Sequence, residues 1–242
     1  MKALQLVAPG ALRLVEMPVP VPRVDQVLVR MGAATVCTSD LYDIRSNPFE
    51  IALPVVLGHE GAGTVVELGA DALGFQVGDR IAAHSVWPCG WCDPCREGLA
   101  HMCANMEHFG LNVPGVFAEY FAVRADRARR IGDHVPMTAA ALAEPACCCL
   151  EALAQARLSP GQSLLILGDG PFGVLMSRLA GGMGLRRVVI AGWQPFRLSF
   201  AAARVNTAGA ADPAALLRAA NDGRGYDAVI LATDNRQAVK QG

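Results

Sequence analysis

Cys89, Cys92, Cys95 and Cys103 fall at the spacing C-x2-C-x2-C-x7-C, with Gly90, Pro94 and Gly98 between them. Four thiolates so close in a chain can close a tetrahedral shell around one metal ion and leave no position for a substrate, which is a structural site. The intervening Gly and Pro residues permit the tight turns of such a lobe, here residues 88–104. Two disulfides, or an iron–sulfur cluster, are the alternatives that spacing alone leaves open. The N-terminus Met1–Val7 has no basic segment, apolar core and cleavage site in sequence, so no secretory signal supports disulfides. The expectation is a reducing, cytoplasmic setting. His84, His101 and His108 flank the lobe and read as surface or loop histidines.

A second cluster lies upstream. Gly58-His59-Glu60-Gly61-Ala62-Gly63 sits between two short apolar segments, Leu53–Leu57 and Thr64–Leu68. An imidazole and a carboxylate on a Gly-rich bend are metal ligands by chemistry. Cys37-Thr38-Ser39-Asp40 precedes the bend and Glu144-Pro145 follows it. One thiolate, one imidazole and one carboxylate leave a fourth position open, the layout of a catalytic zinc.

In these motifs the chain resembles the zinc-dependent medium-chain dehydrogenases, the alcohol, polyol and threonine dehydrogenases. The match to their zinc signature extends from Gly58 through Gly69 to Ala72, and Glu144-Pro145 matches the polyol and threonine branch. The resemblance implies that Cys89, Cys92, Cys95 and Cys103 hold a structural zinc. It implies that Cys37 and His59 hold a catalytic zinc, with Glu144 as the last ligand, directly or through water, or Glu60 exchanging with it. It further implies that Ser39 passes the substrate proton outward and that Asp40 orients His59 through its other ring nitrogen. Tyr42 departs from the family's pattern, since many relatives carry a histidine there as the next relay member. A phenol with a pKa near ~10 is the poorer shuttle at neutral pH. Cys147, Cys148 and Cys149 are rival ligands, but on a helix they point about 100° apart, so at most one could face a metal.

Two textures divide the chain. Residues 1 to about 135 read as short strands, Lys2–Val7, Leu12–Glu16, Gln26–Ala33, Thr64–Leu68 and Arg80–His84, with little helix. From Thr138, an Ala-rich helix leads into apolar runs 164–167, 188–191 and 228–232, alternating with helix-like stretches 172–183, 197–205 and 213–221. That alternation signals a parallel sheet covered on both faces. A short further strand is expected near Ala208–Asp212. The fold class is thus β followed by α/β: a GroES-like barrel over 1–150, by resemblance, then a Rossmann domain over 151–242.

Gly168-Asp169-Gly170-Pro171-Phe172-Gly173 is G-x-G-x-x-G placed after a strand and at the opening of a helix, the context of a dinucleotide loop. The acid that holds the adenosine ribose in NAD enzymes is missing at the end of the next strand, where Gly192 stands. With Arg197 able to pair with a 2′-phosphate, the reading leans slightly to NADP over NAD. About six strands make a full sheet of this kind, so the resemblance implies a nucleotide domain that stops short at Gly242. The expected function is a zinc-dependent, NAD(P)-linked oxidoreductase interconverting an alcohol, a secondary alcohol or polyol, and its carbonyl. The alternative is a truncated, catalytically impaired relative that keeps its zincs structurally. Net charge is −1 with 21 basic and 22 acidic residues, and no apolar run approaches the length that spans a bilayer. Those features point away from nucleic acid and membrane and toward a small-molecule partner, with a homo-oligomer expected of any full-length form.

Overall fold

The structure, a computed structural model, describes residues 1–235. The chain divides into two compact units, one over Met1–Glu144 and one from Pro145 onward.

The first unit is built on a five-stranded antiparallel sheet, in the order Ala128–Arg130, Arg80–Ala83, Glu60–Leu68, Gln26–Thr35, Tyr120–Arg124. Alternation along these strands sends Val27, Val29, Val65, Ile81, Phe121 and Val123 into one core, which Trp87 and Phe109 close with an edge-on ring contact. A smaller sheet joins Ala11–Glu16, Lys2–Ala8 and Val55–Val56, and Val86–Trp87 pairs with Glu107–His108 as a ribbon. The central pair matters most for function. Gln26–Thr35 and Glu60–Leu68 run antiparallel with Thr35 opposite Glu60, and their register shifts twice. Such bulges bend and twist a strand pair. Cys37 runs off one strand end and His59 off the other, so antiparallel register delivers both to the same edge.

Close backbone approach explains the glycines of this pair. A Cβ on Gly63 would stand 2.2 Å from the Arg30 carbonyl oxygen. Gly63→Ala should therefore destabilise the first unit by about 1–3 kcal/mol, the usual cost of overpacking. A lowered midpoint in urea, with unchanged zinc in the folded fraction, would be the expected result.

Little helix is expected in this unit, yet Thr38–Ser46 is helical. Its apolar residues are too few to trace a stripe, so periodicity does not reveal it. What starts it is local: Asp40 accepts the backbone N–H of Cys37 at 2.8 Å, satisfying a donor at the helix entrance.

The second unit holds a four-stranded parallel sheet, ordered Arg204–Asn206, Arg187–Gly192, Ser163–Leu167, Ala228–Leu231. Leu164, Ile166 and Ile190 face one side, under Met176, Ala180 and Leu153. Leu165, Leu167, Val189 and Ala191 face the other, with Leu217. The strand expected near Ala208–Asp212 is instead Arg204–Asn206. Asp212 is taken by capping: its carboxylate accepts the Ala215 N–H at 2.9 Å and opens the helix Pro213–Ala219. The helix expected over 197–205 is correspondingly short, Pro195–Leu198. No helix among the described residues is long and apolar enough to cross a membrane.

Candidate metal centres and dinucleotide loop

Cys37, His59 and Glu60 each offer a ligand atom, and these atoms lie within 4.8 Å of one another. His59 and Glu60 are buried and Cys37 is half-buried. Asp40 joins the group from behind. Its carboxylate accepts the Cys37 N–H and stands 3.4 Å from His59 Nδ1, so one side chain fixes both a thiol and an imidazole. The hydroxyl of Thr35 donates to Glu60 Oε2, so the strand that leads to Cys37 also holds the carboxylate.

Electrostatics follow from this packing. The Cys37 thiol is lowered below its ordinary range, chiefly by its hydrogen bond to His59 and then by Ser39, against the effect of burial. For His59 burial alone would lower the pKa, but hydrogen bonds with Asp40 and Cys37 overcome it and raise the ring to about 10. Thiol and imidazole thus each favour the other's charged form, and a metal ion would take the place of the imidazole proton. A thiolate, an imidazole and a carboxylate fit a divalent ion of borderline softness such as zinc.

Glu144 lies outside the 4.8 Å group but near it. Burial raises its carboxyl, the His59 charge opposes that and the Glu60 charge adds to it, while the Ser85 hydroxyl donates at 3.3 Å. Ser39 is half-buried beside Cys37, whereas Tyr42 is 45% exposed with no hydrogen bond to its hydroxyl among the described residues. His108 departs from expectation: its ring centroid lies 5.6 Å from that of His59, with Nδ1 2.7 Å from the Phe109 carbonyl oxygen. Pairing of His108 with Val86 brings it there, a long-range placement that no local motif announces. Of the three consecutive cysteines, Cys147 and Cys148 are exposed and Cys149 is buried in the second unit's core. None of them joins a metal-binding group among the described residues.

In the lobe all four sulfurs again lie within 4.8 Å of one another, with no disulfide among them. Cys92 Sγ is 3.4 Å from Cys95 Sγ and 3.8 Å from Cys103 Sγ. A tetrahedron with zinc–sulfur bonds of about 2.3 Å has edges of about 3.8 Å, so the set fits zinc. Backbone N–H groups of Cys89 and Asn105 both point at Cys103 Sγ, at 3.2 and 3.3 Å, as donors to a thiolate. Gly90 and Gly98 take left-handed φ of 81° and 80° at the turns. The crowding splits the thiols: burial and its thiol neighbours push Cys95 up to about 12.

The Gly168–Gly173 loop has the form its sequence suggests. It follows Ser163–Leu167 and opens the helix Pro171–Ala180 at Gly170. A Cβ on Gly173 would sit 1.9 Å from the Gly168 carbonyl oxygen, whereas one on Gly170 would meet nothing within 4 Å. The first keeps loop and helix together and the second leaves an open approach to the helix N-terminus, which favours phosphate. Phe172 is 37% exposed and Arg197 is exposed. Gly192 is buried and its neighbourhood is filled by Asp169, which no local motif places there. A cavity of about 420 Å³ lies elsewhere in the first unit, under Met17–Val21 against Phe109 and Phe121. Its lining is mainly apolar, and Arg23, its charged side chain, is occupied by Glu107.

Comparison with known proteins gives a consistent picture. Residues 23–157 match the alcohol dehydrogenase GroES-like domain. The chain is 35% identical over 205 residues to D-altritol 5-dehydrogenase of Agrobacterium fabrum, covering 83% of this chain and 61% of that protein. It is 33% identical over 205 residues to L-threonine 3-dehydrogenase of Deinococcus radiodurans, covering 83% and 59%. A solved structure from Sinorhizobium meliloti, bound to NADP, superposes with a TM-score of 0.91 at 29% identity, over 99% of this chain and 72% of that one. The chain thus spans about three fifths of the length of these curated relatives.

Proposed function

From the premise that the chain belongs to the zinc-dependent alcohol dehydrogenase family with its GroES-like domain, we propose that it takes part in oxidising an alcohol to a carbonyl with a nicotinamide dinucleotide. The observation that carries this is the mixed donor set of Cys37, His59 and Glu60 at the paired ends of two strands. Cys37 and His59 would hold a catalytic zinc with Glu60, and Glu144, close enough to feel the Glu60 charge, is the carboxylate able to exchange with it. Cys89, Cys92, Cys95 and Cys103 would hold a structural zinc. Bound zinc supplies Lewis acidity, which lowers the pKa of an alcohol hydroxyl or polarises a carbonyl.

This chain's residues do the rest. Ser39 stands next to the Cys37 sulfur, where a hydroxyl can accept the substrate proton and pass it outward. Tyr42 is exposed one turn further along the same helix and is the next oxygen on that route. Asp40 holds His59 in one orientation and tautomer. Gly168, Gly170 and Gly173 with Pro171 and Phe172 form the loop that receives the pyrophosphate at a helix N-terminus. The substrate class is a secondary alcohol or polyol, the class that Glu144-Pro145 and the altritol relative favour. Reduced thiols held for a metal suit the cytoplasm.

The test is oxidation of a panel of sugar alcohols, 2,3-diols and threonine with NAD and with NADP, before and after chelation. Reduced nicotinamide should appear with at least one polyol, vanish on chelation and return with zinc. Turnover that survives complete removal of zinc would contradict the proposal.

A further inference from the structure

Gly192 ends the second strand of the parallel sheet, about 20 residues after the glycine-rich loop, where a Rossmann enzyme carries the acid that binds the adenosine ribose. Taken alone, a glycine there leaves room and no charge, hence the lean to NADP. The structure shows that this space is filled. A Cβ built on Gly192 would lie 2.3, 2.4 and 2.5 Å from Cγ, Cβ and Oδ2 of Asp169. Asp169 is the variable residue between the first two glycines of the loop, and its Oδ2 accepts the backbone N–H of Trp193 at 2.9 Å and of Gln194 at 2.6 Å. The carboxylate therefore occupies the corner from the opposite side, from the first strand's loop rather than the second strand's end. Around it lies a cavity of about 70 Å³ bounded by Gly192, Trp193, Thr207 and Thr233.

We infer that Asp169 is the specificity-determining acid of this chain and selects NAD against NADP. The inference rests on the proposed use of a nicotinamide dinucleotide and reverses the lean drawn from Gly192. Two effects act together. The two backbone N–H groups after the strand are the donors a 2′-phosphate would need, and both are already given to Asp169. The carboxylate also places a negative charge where that phosphate would lie, and like charges a few ångströms apart repel strongly in a partly shielded corner. Its Oδ1 carries no protein hydrogen bond among the described residues and is the atom left to accept from a ribose hydroxyl. The glycine and the aspartate are one device: an acid at 192 and an acid at 169 would collide, so the chain carries one or the other.

The experiment measures binding of NADH and NADPH to the full chain by titration of nicotinamide fluorescence, which needs no turnover. Wild type should favour NADH. Asp169→Asn keeps the shape and an oxygen for the two N–H groups while removing the charge, and should move the NADH-to-NADPH affinity ratio toward NADPH by about tenfold or more. Gly192→Asp alone should weaken both cofactors through its clash with Asp169. The double variant Asp169→Gly with Gly192→Asp moves the acid to the other strand and should recover NADH binding and preference. A wild type that prefers NADPH, or a ratio unmoved in folded Asp169→Asn, would overturn the assignment while leaving nicotinamide use standing. Binding of neither cofactor by folded wild type would overturn both.

Discussion

Cys95→Ser should cost the first unit the structural zinc proposed for its lobe and several kcal/mol of stability. Structural zinc contributes about 10–16 kcal/mol of apparent binding free energy in peptides that fold only around it. The lobe has the build of such a peptide. Between Pro88 and Ala104 it has one four-residue helix and one 3-10 turn, with no buried residue in either. It therefore has no apolar core of its own to fall back on. The five-stranded sheet has one, so the loss is partial. Glu107 transmits it, since this carboxylate just beyond the lobe accepts from the Trp87 indole and from both terminal nitrogens of Arg23. Loss of about 4 kcal/mol would lower the melting temperature by about 8–16 °C in a protein of this size. The check is a thermal melt read alongside zinc content, where a variant that melts like wild type with its full zinc would refute the closed-shell reading.

Cys37→Ser should behave in the opposite way, with the fold intact and the second zinc gone. Serine is among the preferred residues at a helix N-cap, and Cys37 occupies that position before Thr38–Ser46. The backbone N–H that Asp40 accepts is unchanged by the substitution. What disappears is the thiolate, and a neutral hydroxyl is a far weaker zinc ligand at pH 7. Turnover should fall below detection. Asp40→Asn probes the partner behind the ligands and should cost about 10–100-fold in metal affinity rather than all of it. A Cys37→Ser protein that binds two zinc ions as tightly as wild type would remove Cys37 from the donor set.

Much of this site can be read from local spacing because its chemistry is local. The four lobe cysteines lie within 15 residues, and the strand–glycine loop–helix unit from Ser163 to Ala180 is continuous, so each announces itself in one stretch. Cys37 and His59 are 22 residues apart, yet the resemblance joins them, and the register of Thr35 with Glu60 supplies the physical reason. What sequence could not supply is contact through space. Gly192 reads as an empty position until Asp169, 23 residues earlier, is found in it. His108 reads as a loop residue until the Val86–His108 pair sets it beside His59. The Thr38–Ser46 helix is hidden for another reason. It buries Asp40 and Asp43 instead of an apolar stripe, so hydrophobic periodicity has nothing to detect. Asp43 keeps one buried oxygen without a hydrogen bond, and burial followed by the Asp40 charge raises its carboxyl. An acid in that setting belongs to a polar cluster rather than to a solvated helix face.

Two candidate metal-binding sets of different character lie in one chain, a closed set of four sulfurs and a mixed set at the paired strand ends. The most direct measurement is zinc per chain in freshly purified, desalted protein, followed through a graded chelator titration and repeated on Cys37→Ser. Wild type should hold two zinc ions that leave in two steps, the first without unfolding and the second with loss of the lobe. The variant should hold one, lost only in the second step. A single zinc in wild type, none at all, or two in Cys37→Ser would contradict the account.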